Sequence, residues 1–272
     1  MDGRVLIVGA SDSSAGAGIQ ADLKTITGLG AQGATAITVL TAPDTSAVCD
    51  VFPVPPPFIA CQMRAVLEAI GADCVKTGML CSAEVVEVVV RSLERYARTV
   101  PLVVDPMMVG RGGRPRLDGA GLAALKLRLL PVASLVTANA IQAELLTGVA
   151  VGSAEDLSRA ADGLLALGAG AAYVQGAGDG ADEVVDLLRT ADGDEVRFEG
   201  GTVDSSRVHG ASCTLASAVA ASVAQGLRLA DALSRARDYV SAAKRHASTF
   251  ASGSLLLDHT HPGRPDDQDI TS

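Results

Sequence analysis

Short apolar runs alternate with amphipathic stretches along most of the chain, and this alternation restricts the fold more than any other feature. Val5–Gly9, Ala34–Leu40, Cys74–Thr77, Leu102–Asp105, Leu135–Thr137 and Ala171–Gln175 read as strands. Ile19–Leu29, Phe58–Ile70, Ala83–Tyr96, Gly119–Leu130, Gln142–Leu146 and Ala154–Leu167 carry helical spacing between them. Repeated strand–helix units of about 30 residues predict an α/β fold of three layers, a mainly parallel central sheet with helices on both faces. A more polar stretch, Glu183–Arg189 and Glu195–Phe198, predicts an antiparallel hairpin, and helices over 213–225 and Ala230–Phe250 complete the fold. Aromatic residues make up only 3 % of the chain and Trp is absent, so the core must be Ala, Val, Leu and Ile. Such a core suits helices packed closely on a parallel sheet. Neither an internal repeat nor a linker divides residues 1–258, which are expected as one domain; polar 259–272 are expected as a disordered tail.

Charge and cysteine usage exclude several classes. The net charge is −9, with 22 basic against 31 acidic residues, which argues against a nucleic-acid surface. Five cysteines (49, 61, 74, 81, 213) form no CxxC or Cys/His cluster, so neither a zinc site nor a disulfide framework is indicated. Unpaired thiols suit a reducing cytoplasm. Met1-Asp-Gly-Arg4 runs into a strand without the features of a signal peptide, and no apolar run reaches the ~18 residues that span a bilayer. A soluble cytoplasmic protein is expected.

Candidate chemistry concentrates at Gly210-Ala-Ser-Cys213, where a polar segment runs into small residues and then helical spacing to Gln225. The first N–H groups of such a helix lack intrahelical partners and carry partial positive charge, which makes an anion site. Cys213 falls in the first turn, where that field favours thiolate over thiol; a Cys among alanines is also commonly a small core residue. Ala10–Gly18 is a small-residue loop after a strand. It lacks the third Gly of a dinucleotide fingerprint, where Ala21 stands, and no Gly-Lys-Ser/Thr follows it. In parallel sheets ligands bind beyond the carboxyl ends of the strands, and Asp105, Asn139 and Gln175 stand there. Asp12 and Ser13 have a capping role open to them. Arg111, Arg114 and Arg116 are either phosphate ligands or solvated loop residues, and His209 either touches a phosphate or stabilises its turn. His246, His259 and His261 lie outside any constellation, and Cys49, Cys61, Cys74 and Cys81 read as packing residues.

With these residues assembled, the chain resembles the hydroxymethylpyrimidine/phosphomethylpyrimidine kinases of the ribokinase-like superfamily over nearly all of residues 4–250. The likeness is carried by Ser11-Asp-Ser-Ser-Ala-Gly-Ala-Gly-Ile-Gln-Ala-Asp-Leu-Lys24, with Ala15 in place of a Gly, by Lys76-Thr-Gly-Met-Leu80, by Val103-Val-Asp-Pro-Met-Met-Val109 and by His209-Gly-x-x-Cys-Thr-Leu215. The resemblance implies a ribokinase-like fold and transfer of the ATP γ-phosphate to a hydroxymethyl group on a small heteroaromatic ring. It further implies Mg²⁺, a small-molecule substrate and a possible homodimer. Cys213 would be the general base, with Gly210, Ala211 and Ser212 forming the anion hole. Asp105 would serve the metal; Asn139, Gln142, Gln175 and Thr214 would face the nucleotide; Gly9, Asp22, Pro43, Met79 and Met107 would surround the ring. Several positions depart from the family's pattern. Gly-Thr-Gly-Cys has become Gly210-Ala-Ser-Cys213, Asn-x-x-Glu has become Asn139-Ala-Ile-Gln142, and a strand-end Lys has become Gln175. Pro43 replaces a ring-pairing Gln, and Met107 a common Val. Two alternatives stand beside the thiamine-precursor kinase: a non-catalytic descendant that binds a ligand or partner, and a kinase for another ring alcohol such as a pyridoxal-type ring.

Overall fold

The computed structural model describes residues 2–43, 49–109, 115–177, 185–199, 208–250, 253 and 255–261, with only the backbone at 43, 49 and 177. Twelve strands and eight α-helices among them follow in chain order. They are β1 (Arg4–Asp12), α1 (Gly18–Gly28), β2 (Gln32–Pro43), β3 (Cys49–Pro53), α2 (Pro56–Ala69), β4 (Cys74–Thr77), α3 (Ala83–Tyr96) and β5 (Leu102–Val104). Next come α4 (Gly119–Ala124), β6 (Leu135–Asn139), α5 (Ala140–Thr147), α6 (Ala154–Ala166), β7 (Ala171–Ala177), β8 (Val185–Thr190) and β9 (Glu195–Phe198). The chain closes with β10 (Val208–His209), α7 (Ala211–Ala224), α8 (Leu229–Arg245), β11 (Ser248–Thr249) and β12 (Leu255–Leu256).

Nine strands form one sheet in the order β3-β2-β1-β4-β5-β6-β7-β8-β9. The pairs from β2 through β7 are parallel, while β3 at one edge and β8 and β9 at the other run antiparallel. Side chains alternate across the sheet, so each strand feeds two cores. Leu6, Val8, Val75, Val104 and Val136 pack against α2, α3, α5 and α6. Val5, Ile7, Cys74, Val103, Leu135 and Tyr173 pack against α1, α7 and α8. The three layers expected from the alternation are thus observed.

Helix α7 is buried on almost every side because its residues are small. Eleven of its fourteen residues, from Ala211 to Ser222, are buried. A longer side chain there would force α1 and α8 apart; the shortage of aromatics is the compositional trace of this packing.

Several boundaries differ from expectation. The helix expected over 119–130 is α4 followed by a π turn at Leu125–Leu129 and a 3₁₀ turn at Leu130–Val132. Pro131 has no N–H and clashes with the carbonyl four residues back, so the regular ladder cannot continue. Helix α8 stops at Arg245 rather than reaching Phe250, since Ser248 and Thr249 pair with Leu256 and Leu255 in a second, three-stranded sheet of order β10-β12-β11. The expected hairpin is β8 and β9; Glu183 lies outside the described residues. The tail does not begin at 259: residues 259–261 are packed against the body, with His259 buried. Residues 262–272 lie outside the described residues.

Candidate active site

Helix α7 begins at Gly210, which lies in the left-handed region at φ +81°. A Cβ there would sit 1.9 Å from the Gly16 carbonyl oxygen, so only glycine fits. Gly16 is equally constrained, since a Cβ on it would meet the His209 ring at 2.5 Å. The first loop and the start of α7 are therefore pressed together with no room for side chains. Asp12 organises that loop. Its carboxylate accepts from the Ser14 amide (2.9 Å), the Ser14 hydroxyl (2.8 and 2.9 Å) and the Ala17 amide (3.0 Å). His209 Nε2 lies 2.8 Å from the same carboxylate and ties the loop to the residue before Gly210. Burial would raise the Asp12 pKa, but the hydrogen bonds from His209 and Ser14 outweigh it and hold it below the usual carboxylate range. His209 thus stabilises the turn, and Asp12 builds the loop rather than capping α1, whose N-cap Ala17 has no side-chain cap.

The first turn of α7 meets the end of β5 through Ser212. Its hydroxyl donates to Asp105, lying 2.9 Å from both carboxylate oxygens, and it also lies 3.9 Å from Met107 Sδ. The Cβ that departs from the family's Gly thus brings a hydroxyl onto the acid. Burial pushes Asp105 up, against the pull of Lys76, Ser212 and Gln142. Behind this contact lies a buried ion pair that the sequence did not reveal. Lys76 Nζ is 3.0 and 2.9 Å from the two Asp22 oxygens, and Ser217 Oγ donates to the same carboxylate at 2.7 Å. Burial raises the Asp22 pKa, yet an ammonium in hydrogen-bond contact with both oxygens keeps the pair ionic. Burial alone would lower the Lys76 pKa; Asp22, Cys213 and Asp105 around it reverse the sign.

Cys213 corrects one expectation. Its thiol is 4 % exposed and is pushed up to about 12, by burial first and by Asp22 and Asp105 next, with Lys76 and the Gly18 backbone opposing. The helix start does not make a resting thiolate, because removing sulfur from water outweighs the partial charge of the first turn. Asp22 is 1 % exposed, with both oxygens engaged by Lys76. Thr214 is fully buried, and its hydroxyl lies 3.0 Å from His259 Nε2. His259, expected outside any constellation, is a partner of this helix.

Asn139 and Gln142 form a reciprocal cap on α5. The Asn139 side chain accepts from the Gln142 amide (2.9 Å), and Gln142 Oε1 accepts from the Asn139 amide (3.0 Å). Gln142 Nε2 also donates to the Pro106 carbonyl at 3.1 Å, a bond that a carboxylate could not make. Gln175, half-buried on β7, is in register with Asn139 on β6, so the two stand side by side at adjacent strand ends. Gly9 is buried at a register shift in β1, where a Cβ would lie 3.7 Å from the Gly78 amide nitrogen. The neighbouring Met79 carbonyl accepts from Thr38 Oγ1 at 2.7 Å, leaving a half-buried side chain. Met107 is half-buried, with its sulfur 3.9 Å from the Ser212 hydroxyl. The Pro43 side chain, Arg111 and Arg114 lie outside the described residues; Arg116 is half-buried. Among the described residues no group of three or more His, Cys, Asp or Glu could hold a metal ion, and no helix is long and apolar enough to cross a membrane.

A doubly covered parallel sheet, with a glycine-started helix facing the acid beyond a central strand, defines a ribokinase-like kinase architecture. The family model for phosphomethylpyrimidine kinase matches residues 12–258, and the chain belongs to that family. A bifunctional thiamine biosynthesis protein of Geobacter sulfurreducens is 43 % identical over 94 % of this chain, which spans 52 % of that longer protein. The hydroxymethylpyrimidine/phosphomethylpyrimidine kinase of Streptomyces coelicolor is 41 % identical, over 94 % of this chain and 93 % of its own length. Among solved structures, an ADP complex of Bacillus subtilis pyridoxal kinase is similar with a TM-score of 0.88 at 30 % identity, covering 97 % of this chain and 100 % of that one.

Proposed function

We propose that the protein uses ATP to phosphorylate the hydroxymethyl group of hydroxymethylpyrimidine, and then its monophosphate, in cytoplasmic synthesis of the thiamine precursor. The observation that carries this reading is the Gly210-initiated start of α7 set against Asp105 through Ser212. The first-turn amides of α7 bind the transferred phosphoryl group, whose charge spreads over its outer oxygens. Gly9, Met79 and Met107 flank the ring, while Gln175 lines the nucleotide side and the Asn139–Gln142 cap fixes the start of α5 beside it. One carboxylate does not make a protein cage, but Mg²⁺ carried in on phosphates and water needs only one or two. Asp105 would hold it, and the cation would neutralise charge on the phosphates.

Cys213 accepts the hydroxyl proton in this scheme. Burial pushes its thiol up to about 12, so little thiolate is present at neutral pH, and kcat should rise with pH well beyond neutrality. Cys213→Ala should lower kcat by about 10²–10⁴ and flatten that rise. An ATP assay with hydroxymethylpyrimidine and its phosphate, run across pH for both proteins, checks this. Absence of turnover at high enzyme concentration would refute the kinase reading. A pyridoxal-type ring is the second reading, favoured by the fold's likeness to a pyridoxal kinase, and it enters the same assay as a competing substrate.

A further inference from the structure

The segment after β11 folds back over the start of α7. Leu255 and Leu256 pair in parallel with Val208 and His209, the residues that lead into Gly210. Leu257, 2 % exposed, completes a small core with Val208, Ala211 and Ala243. The Asp258 amide donates to the Ala243 carbonyl at 3.1 Å. His259 then plugs between three helices. Its Nε2 meets Thr214 Oγ1 of α7 at 3.0 Å, and its carbonyl accepts from Tyr239 of α8 at 3.0 Å. Gly28 of α1 leaves the room, since a Cβ there would press to 3.2 Å from that same carbonyl. A buried imidazole bonded to the residue after Cys213 is a costly arrangement for a disordered tail and an expected one for a brace.

We propose that residues 255–261 are part of the catalytic apparatus, and that His259 is a positioning residue that fixes the first turn of α7 through Thr214. Thr214 closes this turn, its amide donating to Gly210 at 2.9 Å, so its side chain sets the orientation of the amides expected to bind phosphoryl. Small displacements of such groups reduce rates steeply while leaving ground-state binding largely intact. The inference rests on the reading of α7 as the phosphoryl site, and its test separates the two.

Thr214→Val removes the hydroxyl at nearly constant volume, and Thr214→Ser restores it. The valine variant should lose about tenfold or more in kcat, with KM for ATP and for the ring alcohol within about twofold. Its amides at 211–214 should exchange hydrogen faster while those of α3 are unchanged, and the serine variant should follow wild type in both measurements. A valine variant with wild-type kcat and wild-type exchange would overturn the proposal, as would exchange accelerated equally in α3. If the unmodified protein phosphorylates no ring alcohol, the kinase reading fails on its own, and the exchange pattern alone decides whether the brace exists.

Discussion

Ala15 lies at φ +58°, a conformation that L side chains with a Cβ seldom adopt. The loop imposes it: Ser14 and Ala17 are tied to Asp12, and Lys24 Nζ donates to the Ala15 carbonyl at 2.8 Å. Left-handed backbone costs a non-glycine residue about 1–2 kcal/mol, of which glycine's extra freedom in the unfolded chain cancels a part. Ala15→Gly should therefore stabilise the protein by about 1 kcal/mol and raise Tm by about 2–4 °C in thermal unfolding. The Gly-to-Ala departure was visible in the sequence at this position, and the need for Gly210 could be inferred from the small residues that follow it. Lys76 was not legible in the same way. It stands 54 residues from Asp22, and only the folding of β4 beside α1 makes them a pair. Ser212 was visible as a departure, but its bond to Asp105 depends on where α7 meets β5.

Helix α5 shows how a lost carboxylate can suit its surroundings. Gln142 is 4 % exposed, and its amide caps Asn139 with oxygen while bonding the Pro106 carbonyl with nitrogen. A glutamate there would keep the cap, lose the bond to Pro106 and bring a second carboxylate toward buried Asp105. Gln142→Glu should destabilise the protein by about 1–3 kcal/mol at neutral pH. Burial and Asp105 would raise the new acid's pKa, so the loss shrinks as pH falls and the acid becomes neutral. Unfolding curves at two pH values check the sign, and added Mg²⁺-ATP should recover stability preferentially in the variant. Elements with strong periods, such as α3 and the parallel strands β4 to β7, were legible to within a residue or two, whereas β1 and β2 each run three residues past the expected end. The two-residue strands β10, β11 and β12 were not, since no period exists over such lengths and their pairing depends on chain segments far apart.

The whole molecule depends on a closure that composition conceals. Residues 259–261 read as polar tail, yet His259 is buried, and its pKa falls to about 4 because burial disfavours the charged ring and Lys24 repels it; His261 adds to this while Asp258 opposes. Native His259 therefore stays neutral while the unfolded chain takes up a proton near 6.5. Its contribution is fully present above about pH 6.5 and is lost as pH falls toward 4, by up to about 3 kcal/mol. Comparing the pH dependence of unfolding in wild type and His259→Gln checks this: the variant's curve should be flatter between pH 6.5 and 4. The parallel sheet and both helical layers could be read from alternating patterns, because each unit is local. The closing segment could not, because what buries it is the combined surface of α1, α7 and α8.

Residues 12–18, 208–214 and 255–259 meet around the start of α7, so this one turn is assembled from segments far apart along the chain. Contacts so distant in sequence close late, so in a refolding experiment the amides of the parallel sheet should gain protection before those of the first turn of α7.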